Sequence, residues 1–85
     1  MSTRVAVISI IIENMDSVER VNQLLHRSSR FILGRMGIPY REKGVSIISV
    51  AMDAPQDEIS ALSGSIGRLP GVSAKTAYSG VITEQ

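Results

Sequence analysis

The stretch "RMGIPYREKGVSIISV", Arg35 to Val50, holds two strands of opposite character and the turn between them. Up to Tyr40 it is broken by Gly37 and Pro39, and proline cannot donate to a central ladder, so this half reads as an edge strand. "REKG", Arg41 to Gly44, is a polar turn closing on glycine, as a hairpin requires. Val45 to Met52 is apolar and uncharged, which suits a strand buried inside a sheet. Nothing in the turn pairs a nucleophile with a base, so it reads as structural. Its arginines are the exception, because a guanidinium fork suits a carboxylate or phosphate.

The neighbouring segments complete the pattern. Val5 to Ile12, "VAVISIII", is another uncharged β-branched run and reads as a second central strand. At eight residues it is far short of the roughly 20 needed to span a bilayer. It meets Glu13 and Asp16 with no small-residue cleavage site, so it is no signal peptide either. "DSVERVNQLLHRSS" follows, with Val18, Val21, Leu24, Leu25 and Ser28 on one helical stripe. Asp16 and Glu19 stand at capping-box spacing there. "RFILGRMGIPY" alternates, with Ile32, Met36, Ile38 and Tyr40 on one side and Phe31, Leu33 and Arg35 on the other.

After the hairpin, "APQDEISALSGSIGRL" carries Pro55, Asp57 and Glu58 at its start, all favourable at a helix N-terminus. Ile59, Leu62, Ile66 and Leu69 form its buried stripe, and Pro70-Gly71 stops it. "VSAKTAYS" alternates around Lys75 as a further edge strand. Residues 79–85 read as a loose tail.

The order is βαββαβ in a single domain over 1–85, an α+β ferredoxin-like sandwich. Its antiparallel sheet has strand order 4-1-3-2, with both helices on one face. The uncharged strands fall in the middle of that order, and the strands with glycine, proline and charge fall at its edges. Both sides of the central strands are apolar: Ala6/Ile8/Ile10/Ile12 against Val5/Val7/Ile11, and Ile48/Val50/Met52 against Val45/Ile47. Two helices cover one face only, so a monomer leaves a large apolar patch wet. At ~25 cal/mol per Å2, covering several hundred Å2 is worth on the order of 10 kcal/mol before association costs. A homo-oligomer, dimer or tetramer, joined through the open sheet face is expected.

Chemistry-bearing residues are sparse. The 85 residues include no cysteine and one histidine. This removes disulfides, thiol catalysis and cysteine-based metal sites, and it fits a cytoplasmic location. His26 faces solvent on the first helix, away from the Val18/Val21/Leu25 stripe. It is a remote metal candidate only, for want of His or Cys partners in the chain. No catalytic residue and no cofactor are expected. The net charge of +1 gives no general nucleic-acid signal, yet residues 20–43 hold six Lys or Arg against one acid, Glu42. Arg27 and Arg30 in part complement a helix C-terminus. Arg35, Tyr40 and Arg41 are the candidates for binding a small anionic ligand.

Other uses of the ferredoxin-like fold fail on residues. The central strands lack the aromatics on which RRM domains stack bases. The paired cysteines of copper chaperones are missing. The loop after the first strand, "ENMDS", is acidic where acylphosphatases place a glycine-rich phosphate loop. "GSIG", Gly64 to Gly67, is similar to the GXXG clamp of KH domains but sits inside a helical pattern. With Ser60 and Ser63 its glycines make a small-residue side suited to close backbone approach.

"VNQLLHRSSRFILGRMGIPYREKGVSIISV" and "DEISALSGSIGRLPGVSAKT", above all "GRMGIPYRE" and "LSGSIGRLPGV", resemble a specific family. It comprises small regulators of the iron-only hydrogenase system, ACT-like proteins related in fold to the C-terminal domain of nickel-responsive repressors. The resemblance implies a cytoplasmic bacterial regulator, oligomeric, binding a small ligand between subunits, with a protein partner it does not identify. It carries over no active-site residue. Nickel repressors use several His and Cys ligands where this sequence offers His26 alone, and the separate DNA-binding segment that they carry ahead of the sensor is not expected here. Two alternatives stand beside the regulator: a small enzyme with an intersubunit site, and a nucleic-acid binder using segment 20–43.

Overall fold

A computed structural model describes residues 2–84, with side chains placed through residue 81. Four strands and two helices follow in the order β1 (Ser2–Ile12), α1 (Val18–Arg27), β2 (Ile32–Tyr40), β3 (Val45–Ala54), α2 (Gln56–Gly67) and β4 (Val72–Glu84). The sheet is antiparallel throughout, with spatial order β2-β3-β1-β4, the expected order read from the other edge.

Register explains which side of each central strand is buried. Ala6, Ile8 and Ile10 of β1 stand opposite Met52, Val50 and Ile48 of β3. Paired residues share a face, and this one lies under the helices. All six are buried, together with Val21 and Leu25 of α1 and Ile59, Leu62 and Ile66 of α2. Val18, Leu24 and Leu69 pack at the margin of this core. The apolar stripes read from the sequence are therefore the ones that fill it.

Four details differ from expectation. A 3-10 turn, Met15–Ser17, precedes α1, and its cap is Asn14, whose Oδ1 accepts from the amide of Asp16 at 3.0 Å. The Asp16/Glu19 capping box does not form, because Asp16 lies inside that turn. In β2 the register slips between Ile32 and Gly34. The bulge leaves Ile32 opposite Met52 on the helix side and moves Met36, Ile38 and Tyr40 to the open side. The residues expected as a tail belong to β4 as far as Glu84, with Thr83 opposite Thr3 and a register shift between Arg4 and Ala6; Gln85 lies outside the described residues.

The fourth detail concerns the small-residue side of α2. It faces β4: the hydroxyl of Thr76 donates to Ser63 Oγ at 3.1 Å. A Cβ on Gly67 would sit 3.9 Å from Ala74 Cβ, and one on Gly64 would meet only the Arg68 guanidinium at 3.4 Å. The strand does approach there, but neither glycine is required by space. Gly71 is different. It has φ +66°, and a Cβ there would fall 2.5 Å from Asn14 Cβ.

Candidate functional site

The face of the sheet away from the helices is open and apolar. Its rows run across the strands. Ile38, Ile47 and Ile11 stand side by side, and Gly34, Ala51, Val7 and Ala77 form another row. Between them lie Met36, Ser49, Ser9 and Lys75. Val7 is 36%, Ile47 39% and Ile11 45% exposed, although all lie in central strands whose other sides are sealed. Because Gly34, Ala51 and Ser49 are small, a shallow depression of about 300 Å3 opens beside Val7 and Met36. The two apolar rows are thus exposed on either side of a mixed row, a larger apolar display than single scattered side chains make.

The three residues expected to bind an anion do not converge. Arg35 stands opposite Val50, and its guanidinium donates to Asn22 Oδ1 on α1 at 2.7 Å. Tyr40 pairs with Val45 on the opposite face, and its hydroxyl lies 3.4 Å from Glu42 Oε2. Arg41 starts the 3-10 turn Arg41–Lys43, closed by Gly44 at φ +63°. Five residues of strand rise from Arg35 to Tyr40, about 17 Å, and Arg41 lies beyond the strand's end. Arg35 is thus an α1–β2 tie with part of its fork unused, while the other two belong to the hairpin.

His26 is exposed on α1 in line with Glu19, Asn22, Gln23 and Arg27. These come from one helix and form a shallow flank, not an enclosed cavity. Among the described residues no three His, Cys, Asp or Glu side chains cluster to hold a metal ion. The described helices are also too short and polar to cross a membrane. Of the basic segment, Arg20 donates to Gln23 and Arg30 stacks on Phe31 at 4.7 Å, so these cations pack against their own neighbours.

One cluster has no counterpart among the sequence-based candidates. Arg4 lies over the ring of Tyr78 at 4.7 Å, donates from Nε to the Ser79 carbonyl at 3.0 Å and reaches Gln56 Oε1 at 3.0 Å. The Gln56 amide in turn donates to the Tyr78 hydroxyl at 2.9 Å and to Ser60 Oγ at 3.2 Å. This network ties the start of α2 to the β1–β4 pair where β4 changes register. The bonds that Arg4 makes to Gln56 and Ser79, and Gln56 to Tyr78, span 52, 75 and 22 residues, so no local motif announces them. A guanidinium engaged on three sides serves as a pin.

Comparison with known proteins agrees with this architecture. A family described as "Iron-only hydrogenase system regulator, putative" and named TM1266-like matches residues 4–76. The structure of the uncharacterized protein TM1266 from Thermotoga maritima superposes with a TM-score of 0.86 at 36% identity, covering 89% of this chain and 96% of that one. A formyltetrahydrofolate deformylase from Pseudomonas putida KT2440 superposes with a TM-score of 0.63 at 14% identity, covering 86% of this chain and 28% of that one. Identity that low speaks for the ferredoxin-like fold alone. No curated protein matches the chain. With residues 4–76 inside the family match and 36% identity to TM1266 over 89% of its length, the chain belongs to the TM1266-like family.

Proposed function

We propose that this protein is a cytoplasmic, non-enzymatic regulatory module of the iron-only hydrogenase system that works as a homo-oligomer assembled through its open sheet face. The observation that carries this reading is the exposed row Ile38–Ile47–Ile11 together with Val7 and Met36, apolar side chains on well-paired strands with no helix above them. Four strands about 4.8 Å apart and five rows about 6.7 Å apart make a face of roughly 600 Å2, so two copies bury enough for a specific interface.

The signal is a small anion. Of the three arginine and tyrosine candidates, Arg35 is the one oriented from a neighbouring element, by Asn22, which limits the rotamer freedom lost on binding. Tyr40 and Arg41 contribute only through the hairpin end of the same strand.

The regulatory reading is tested by deleting the gene in a host that carries an iron-only hydrogenase and measuring hydrogenase transcript and activity. Both are expected to change, and to return when the native gene is supplied but not an Ile47→Glu form. Unchanged hydrogenase levels in the deletion strain would overturn the regulatory assignment.

A further inference from the structure

Among the described side chains of the open face, two are charged. Asp53 stands opposite Val5 on β3, and Lys75 stands opposite Ser9 on the edge strand β4. Two strand spacings and four residues of rise separate them, about 16 Å, too far to pair within one chain. Asp53 is nonetheless half-buried, and its Oδ1 is covered without a hydrogen-bond donor. Thr3, on the same face and 7% exposed, likewise has a hydroxyl oxygen with no partner. Its own chain covers Asp53 Oδ1, so a cation from outside meets the half-buried carboxylate through Oδ2, and its charge offsets the desolvation of the group. Lys75 is exposed.

Resting on the sheet-face assembly proposed above, we infer that the face is self-complementary: two copies pack about a two-fold axis over Val7, and Asp53 of each meets Lys75 of the other. The position of the axis follows from register. An in-plane two-fold exchanging Asp53 and Lys75 passes through their midpoint, which is the β1 position halfway between Val5 and Ser9. That residue is Val7, and its row neighbours Ala51 and Ala77 are small enough for two sheets to close on it. Such isologous symmetry makes each ion pair twice, once on either side of the axis. It also rejects the slipped arrangements in which the apolar rows alone could pack, because those leave Asp53 without a cation.

Charge exchange tests the pairing. Asp53→Lys and Lys75→Glu are purified separately, checked for native circular dichroism, and examined alone and mixed by native mass spectrometry and sedimentation velocity. Each variant alone is expected to dimerise about tenfold or more weakly than the wild type, and the equimolar mixture to recover as a heterodimer. If the wild type dimerises and Lys75→Glu dimerises equally well, the ion pair is wrong while the assembly stands. If the wild type is monomeric, the assembly itself fails and the pairing with it. A second probe avoids the half-buried acid. The chain has no cysteine, so Val7→Cys can form a disulfide only between copies. Oxidation is expected to give a covalent dimer with Val7→Cys but not with Ile38→Cys near the β2 edge; the reverse pattern would overturn the axis.

Discussion

The hydroxyl of Ser17 donates a 2.7 Å hydrogen bond to the carbonyl of Pro70, joining the turn before α1 to the turn before β4. Beside it the amide of Glu13 donates to the Gly71 carbonyl at 2.7 Å. Two connections 53 residues apart are clamped at the end of β1, where both helices dock on the sheet. Ser17 is 6% exposed, so its hydroxyl cannot fall back on water. Ser17→Ala is expected to cost ~1–2 kcal/mol, since it deprives the Pro70 carbonyl of its donor. Urea unfolding with unchanged m-value would show it; a loss below the fitting error would remove the clamp's energetic role.

Glycines 64 and 71 should respond in opposite directions to the same substitution. Gly71→Ala forces a Cβ onto Asn14 at a left-handed φ, and a loss of ~2–4 kcal/mol is expected from strain and overlap together. Gly64→Ala adds its methyl near a mobile guanidinium in a helix interior, and a gain of ~0.5–1 kcal/mol is expected. Thermal melts of the pair measured side by side decide both. Equal destabilisation would mean that α2 is packed more tightly against β4 than its spacing allows.

Anion binding should depend on Arg35 far more than on Arg41. A thermal-shift screen against inorganic phosphate and small carboxylates is expected to find stabilisation that Arg35→Ala abolishes and Arg41→Ala leaves largely in place. Asn22→Ala should weaken it in part, by releasing the guanidinium from its 2.7 Å partner. Stabilisation that survives Arg35→Ala would move the ligand elsewhere.

Much of this fold was legible because β1 and β3 are apolar at both parities, a pattern only central strands require. Gly37 and Pro39 marked β2 as an edge, and that contrast was enough to order the sheet. The helical stripes led directly to Val21, Leu25, Ile59 and Ile66 in the core. Bulges escaped, because the slip at Leu33 is set by how β2 meets β3 and leaves the alternation of β2 itself unchanged in the sequence. The extension of β4 escaped for a similar reason: its pairing partner is the first few residues of the chain. Asn14 was hidden behind Asp16, an equally good cap two residues on.

The site was legible unevenly. The open face followed from parity, including Val7, Ile11 and Ile47. Grouping Arg35, Tyr40 and Arg41 relied on nearness in sequence, yet adjacent parities of one strand point to opposite faces. Arg4, Gln56 and Tyr78 come together only when β1, α2 and β4 are assembled, so no spacing rule could collect them.

The central claim is that a second copy covers the open face, and sedimentation equilibrium over a wide concentration range tests it most directly. The wild type is expected to fit a dimer or tetramer down to micromolar concentration, with Ile47→Glu, exposed on a central strand of the face, shifting it to monomer while its circular dichroism stays native. A wild-type chain that sediments as a monomer at high concentration would contradict the account.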